Sequence, residues 1–158
     1  MRVIGIDPGT GILGFGVVDF VKGKPPKMID AGVITTPAHT PLSDRLLDIY
    51  DSLTEIIETN RPDVMSIEKL FFAQNVTTAI SVSHARGVAM LTGAQAKLPI
   101  YEYTPLQIKQ TLTGYGRADK KQIQEMVKIH LRLKQVPKPD DCADALAAAI
   151  THDLMSRA

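Results

Sequence analysis

"IGIDPGTGILGFGVV" (residues 4–18) ends an apolar run in an aspartate and follows it with closely spaced glycines. Gly9, Gly11 and Gly14 match the G-x-G-x-x-G pattern of dinucleotide-binding turns, and a carboxylate, Asp30, lies about the right distance downstream. That pattern needs a helix directly after the glycines, so that a helix N-terminus can face a pyrophosphate. The residues that follow, "ILGFGVVDF" (12–20), oppose a helix. Gly14 and Gly16 together would cost a helix interior about 2 kcal/mol, and the Val and Phe content favours a strand. Asp30 falls inside a further strand-like run rather than at its end. The stretch therefore reads as strand, tight turn, strand. Its glycines make the turn and leave Asp7 at a strand end with little side-chain bulk around it.

Outward from this element, "RVIGID" (2–7), "GFGVVDF" (14–20) and "KMIDAGVITT" (27–36) read as three strands, with "VKGKPP" (21–26) a turn by composition. Their close spacing predicts an antiparallel meander. "PLSDRLLDIYDSLTEIIETN" (41–60) sets Leu46, Ile49, Tyr50, Leu53, Ile56 and Ile57 at helical spacing, with Ser43 as N-cap. "DVMSIEKLF" (63–71) is a fourth strand, residues 75–97 a long helix rich in small residues, and "PIYEYT" (99–104) a fifth strand. Thr104 and Pro105 open a helix that stops at Gly114. Asp119 opens another to about Leu133. Pro137 and Pro139 break it, and Asp140 or Asp141 opens the last helix toward Ser156. This order predicts an α/β chain: a five-stranded mixed sheet, order 3-2-1-4-5, with helices on both faces. Asp7 and Glu68 then sit at the carboxyl ends of adjacent parallel strands, where open α/β sheets place their sites.

The 158 residues suit one domain, 1–158, with one sizeable core. No apolar run approaches the roughly 20 residues of a membrane span, and the N-terminus reads directly as a strand. A lone cysteine, Cys142, forms no intramolecular disulfide and fits a reducing cytoplasm. Net charge is +1, from 18 basic and 17 acidic residues, which excludes a bulk polyanion-binding argument. Charge is nonetheless segregated. Asp44, Asp48, Asp51, Glu55 and Glu58 lie in one helix, whereas Lys109, Arg117, Lys120, Lys121, Lys128, Arg132, Lys134 and Lys138 lie in the C-terminal third. The four histidines show no metal-ligand spacing.

Four acids stand apart from the solvated ones. Asp7 ends an apolar strand, and Glu68 follows "VMSI" on another. Asp141 and Asp144 lie three apart at the start of an Ala-rich helix, so they share a face. Taken alone, the pair reads equally as helix-start acids, and Asp7 as an Asx turn with the Pro-Gly that follows. Glu68 has no such alternative. The Ala run lets the last helix lie close to the sheet and brings the pair toward Asp7 and Glu68. Four converging carboxylates repel unless cations neutralise them. Two divalent ions balance the count, and hard oxygen donors suit Mg²⁺ or Mn²⁺. Such a pair of ions clamps the attacking and leaving oxygens of a phosphodiester displacement.

These residues also carry a family likeness. "IGIDPGTGILGFGVV", "SIEKLFFAQN", "HARGVAM", "YTPLQIKQTLTGYGRADKKQIQ" and "DDCADALAAAITH", in this order over essentially the whole chain, resemble the bacterial RuvC Holliday-junction resolvases. The resemblance implies a ribonuclease H-like fold, a homodimer, and Mg²⁺-dependent symmetric nicking of four-way DNA junctions beside the RuvA–RuvB branch-migration complex. It implies Asp7, Glu68, Asp141 and Asp144 as catalytic metal ligands, the three-residue spacing selecting Asp141 over Asp140. It implies DNA contacts by Lys109 and Lys120, with Arg86, Arg117 and Lys121 as neighbouring candidates. Phe71, directly after the Glu68 strand, is placed to stack on an unpaired base, and Phe72 reads as core.

Two other classes stay open at this point. Actin- and sugar-kinase-like phosphotransferases use a related strand–turn–strand element, but need two such lobes. A non-catalytic junction binder needs no carboxylate cluster. The small-residue helix 75–97 offers either a contact with a second subunit or close packing on its own sheet.

Overall fold

The computed structural model of the chain describes residues 1–70 and 76–158. β1 (Arg2–Asp7), β2 (Ile12–Asp19) and β3 (Lys27–Thr35) form the antiparallel meander. β4 (Val64–Glu68) pairs parallel with the other edge of β1, and β5 (Ile100–Tyr103) pairs parallel with β4. The resulting order β3-β2-β1-β4-β5 is the ribonuclease H-like sheet expected from the sequence. β2 starts at Ile12, two residues earlier than its composition suggested, because Ile12 already pairs with Thr35 of β3. Asp30 lies inside β3, paired with Val17 of β2, and its carboxylate accepts a hydrogen bond from Asn60 Nδ2 at 2.9 Å.

Two cores flank this sheet. On one face α1 (Leu42–Asn60) and α2 (Val76–Gln95) cover Ile4, Ile6, Leu13, Met65 and Ile67. On the other, α3 (Pro105–Thr113), α4 (Lys120–His130) and α5 (Asp140–Ser156) cover Val3, Val18, Val64 and Tyr103. The period of two along a strand therefore assigns Val3, Gly5 and Asp7 of β1 to the α5 face, and Val64, Ser66 and Glu68 of β4 to the same face. Ser66 confirms the assignment by donating to the Ala148 carbonyl of α5 at 2.6 Å.

The helix boundaries follow their caps. Thr104 and Asp119 each close a capping box, with Gln107 and Gln122 respectively. Ser43 does not cap α1. The helix opens two residues earlier than that cap implies, at Leu42, behind Pro41, whose carbonyl accepts from the amides of Asp44 and Arg45. α4 ends at His130 and not near Leu133, since Arg132 takes the left-handed conformation with φ 53°. The exposed face of α1 carries Asp44, Asp48, Asp51, Glu55 and Glu58, as the periodicity predicted. In α2 the small residues Ala85 and Ala89 are fully buried against the sheet. Its outer face instead exposes Ile80, Gly87 and Leu91.

α5 lies against the backbone of β1 and β2 because glycines remove the side chains that would hold it off. A Cβ on Gly5 would fall inside the Ala145 carbonyl oxygen and 2.8 Å from the Ala149 nitrogen. A Cβ on Gly14 would overlap the Asp141 carbonyl. Gly87 in α2, by contrast, has open space around it. The same Gly→Ala change therefore has opposite effects at the two sites. Gly5→Ala is expected to destabilise by about 1–3 kcal/mol through overpacking. Gly87→Ala is expected to stabilise by up to about 1 kcal/mol through helix propensity. Thermal unfolding of the two variants measures the contrast, and equal shifts would remove the close approach as a constraint.

Candidate active site

Asp7 and Glu68 occupy the ends of adjacent strands, one residue beyond the Ile6–Ile67 register pair. Both face α5, and its first turns bring Asp141 and Asp144 to the same end of the sheet. Asp7 lines a cleft of about 350 Å³ with Glu68, Pro8, Leu70, Val82 and Arg86. A second cleft of about 290 Å³ continues past Glu68 and Asp144 to Lys109 and Lys120. Asp7, Glu68 and Asp144 thus border two clefts that meet at Glu68, while Asp141 lines neither and bears on the site through its charge on Asp7. The four expected carboxylates do not converge on one point: among the described residues no three His, Cys, Asp or Glu side chains are grouped closely enough to hold an ion.

Their protonation records the crowding. Burial, then the charges of Asp144, Glu68 and Asp141, push the Asp7 carboxyl up to about 8. Burial and Asp144 push Glu68 to about 7, against the opposing pull of Lys109 and Lys120. Asp144 is raised by burial and held back by Lys120. The Lys120 ammonium lies 3.4 Å from both Asp144 Oδ2 and Asp140 Oδ2. Burial works against its charge, and the two carboxylates more than offset this. Asp140 is exposed and also accepts from Gln124 Nε2 at 3.0 Å, whereas Asp141 acts on Asp7. The geometry therefore divides the tandem acids, with Asp141 toward the strand ends and Asp140 toward α4. Oxygen-only donors that resist ionising together are the chemistry of a hard divalent cation site.

The expected DNA-contacting residues separate. Lys109 and Lys120 border the carboxylate opening. Arg117 is exposed on the α3–α4 connection. Lys121 lines a neighbouring cleft with Thr113 and Glu125 instead of the carboxylate opening. Arg86 does not project freely. Its guanidinium pairs with Glu102, and its Nε donates to the Glu68 carbonyl at 3.2 Å. Phe71 and Phe72 lie outside the described residues. Cys142 is buried beside the acids, and burial, with Asp30 and Asp141, pushes its thiol up to about 11. No pattern in the sequence points to Glu102, whose partner is on another element, or to Asp140 as a counter-charge to Lys120.

Linkage turns the crowding into a stability profile. The unfolded chain releases the Asp7 and Glu68 protons near pH 4, while the folded chain holds them to about 8 and about 7. Stability of the metal-free protein therefore falls as pH rises through that window and levels off above it. Asp7→Asn is expected to melt about 2–8 °C higher than the parent at pH 8 and at the same temperature near pH 4. Equal melting at both pH values would show that Asp7 is not held against repulsion.

Residues 3–152 match the family model of crossover junction endodeoxyribonuclease RuvC. A relative from Brevibacillus brevis named "Crossover junction endodeoxyribonuclease RuvC" is 57% identical over 152 residues, covering 96% of this chain and 91% of its own. A relative of the same name from Chloroflexus aurantiacus is 54% identical over 152 residues, covering 96% and 92%. The solved structure "T. thermophilus RuvC in complex with Holliday junction substrate" superposes with a TM-score of 0.94 at 36% identity, covering 99% of this chain and 95% of that one. A sheet of this order, a carboxylate at the end of each of its adjacent parallel strands β1 and β4, and matches over nearly the whole length lead to one conclusion: the chain belongs to the RuvC family of crossover junction endodeoxyribonucleases.

Proposed function

We propose that this chain, as a single nuclease domain over residues 1–158, resolves four-way DNA junctions by paired symmetric nicks in recombination and repair. The observation that carries the reading is the group of acids at two clefts that meet at Glu68, bordered by Lys109 and Lys120. Asp7, Glu68, Asp141 and Asp144 are the proposed ligands of two Mg²⁺ ions per subunit, with Mn²⁺ able to replace them. When bound, such ions polarise a water for attack on phosphorus and stabilise the departing 3′ oxygen.

The chain's own residues prepare the site for that chemistry. β-strand parity aims Asp7 and Glu68 at the α5 N-terminus. The single charge of Lys120 is shared between Asp144 and Asp140, and its weaker pull on Asp7 and Glu68 leaves those two the groups most in need of positive charge. Lys109 borders the opening beside Glu68, where a phosphate would enter. Arg117 and Lys121 extend the positive charge along the α3–α4 side and position the arms without reading sequence. Phe71 remains the proposed stacking residue. No helix among the described residues is long and apolar enough to cross a membrane, and we assign the protein to the cytoplasm alongside the RuvA–RuvB complex.

Two scissile strands call for two sites, and a homodimer supplies them. The outer face of α2 suits that contact: Ile80 and Leu91 are 52% and 55% exposed, with Gly87 between them. The double change Ile80→Asp and Leu91→Asp is expected to give a monomer by sedimentation that still folds. A dimer of unchanged affinity would place the contact elsewhere.

Cleavage of a four-way junction, a linear duplex and an RNA–DNA hybrid, with and without Mg²⁺, tests the function. Metal-dependent nicking of the junction alone is expected, and equal cutting of hybrid and junction would reduce the assignment to a general ribonuclease H-like nuclease. Asp7→Asn is expected to abolish nicking and keep junction binding. Lys120→Ala is expected to weaken binding and to reduce the salt slope by about 1.

A further inference from the structure

Arg86 sits on α2, on the face of the sheet opposite α5. The Glu68 side chain points toward α5, so Arg86 meets β4 from behind, at the Glu68 carbonyl rather than its carboxylate. The same parity turns Glu102 of β5 toward α2, one residue before Tyr103, the register partner of Glu68. Three donors of one guanidinium are engaged. Nε donates to the Glu68 carbonyl at 3.2 Å, Nη1 contacts Met90 Sδ at 3.4 Å, and Nη2 pairs with the Glu102 carboxylate. Arg86 and Glu102 side chains are 17% and 35% exposed, so the pair is partly shielded from water.

β4 stops at Glu68, and the Lys69 amide beyond it donates to the Tyr103 carbonyl of β5 at 2.7 Å. A planar fork that bonds a carbonyl and a carboxylate together fixes orientation, which a lysine at the same place cannot do. We propose that Arg86 is a positioning residue: braced by Glu102, it holds the β4 terminus so that Glu68 presents its carboxylate to the metal, and it does not act as a phosphate contact. The assignment rests on Glu68 serving as a metal ligand, as proposed above.

The two roles for Arg86 predict opposite results at Glu102. A phosphate-binding Arg86 would be freed by Glu102→Gln and would bind the junction more tightly. A positioning Arg86 would lose its brace and leave junction affinity unchanged. The test uses the full chain with Glu102→Gln, Arg86→Lys and Arg86→Gln. Three quantities are read: junction affinity against salt in EDTA, the Mg²⁺ concentration for half-maximal nicking, and Mg²⁺ binding to DNA-free protein by calorimetry. All three variants are expected to keep the parental salt slope. They are expected to need about 10-fold more Mg²⁺, with a matching calorimetric loss, the range seen when a group that orients a metal ligand is removed. Tighter junction binding by Glu102→Gln at unchanged Mg²⁺ demand overturns the proposal. So does a salt slope lowered by about 1 in Arg86→Gln. If Arg86→Gln fails to fold, Glu102→Gln decides alone, since it keeps the arginine. A parental protein that cuts no junction refutes the functional reading, and the calorimetric arm still decides the role of Arg86.

Discussion

The approach of α5 to the backbone of β1 and β2 sets the distances at which the groups of the site meet. Two of the four acids ride on that helix and one ends the strand beneath it. Their separation depends on the missing side chains at Gly5 and Gly14. The contact is also energetically central, because α5 carries Leu146, Ile150 and a run of buried alanines into the core between sheet, α3 and α4. Close packing of this kind is bistable and does not deform continuously. A side chain inserted beneath α5 would shift Asp141 and Asp144 as a unit rather than loosen one of them.

Held this way, the acids oppose one another. Asp7 and Glu68 carry raised proton affinities because burial and mutual repulsion outweigh the lysines nearby. The fold stores this strain without losing its core, since hydrophobic layers on both faces of the sheet fix the strands from which the acids project. Lys120 pairs directly with the α5 acid Asp144, and its pull on Asp7 and Glu68 is too weak to offset their burial, which leaves the strand-end pair poised for added positive charge. The site is therefore less stable than its surroundings by construction, as expected where function requires like charges to gather.

Much of this was legible in the sequence. The apolar runs "RVIGID" and "VMSIE", each ending in an acid, were enough to put Asp7 and Glu68 side by side once β4 was placed beside β1. Thr104 announced its helix through the Pro105 that follows it, and Asp119 as a helix-opening acid; the glutamine three residues beyond each, which closes a capping box, went unread. Ser43 misled because Pro41 opens α1 by backbone alone. Gly5 and Gly14 were less transparent: a missing side chain looks the same whether it serves a turn or the passage of a helix. The glycines first read as turn formers include one that admits α5. Arg86 shows the other limit. A sequence displays a cation, but its partners, Glu102 and the Glu68 carbonyl, are 16 and 18 residues away and meet it only in the folded chain.

The central claim is that Asp7, Glu68, Asp141 and Asp144 form one metal site that acts on DNA. Anomalous scattering from Mn²⁺ in crystals of the chain with a four-way junction tests it most directly. The account predicts manganese peaks in contact with these four carboxylates, next to a junction phosphate. Peaks confined to other acids or to the DNA alone, in crystals whose protein cuts the junction on dissolving, would contradict it.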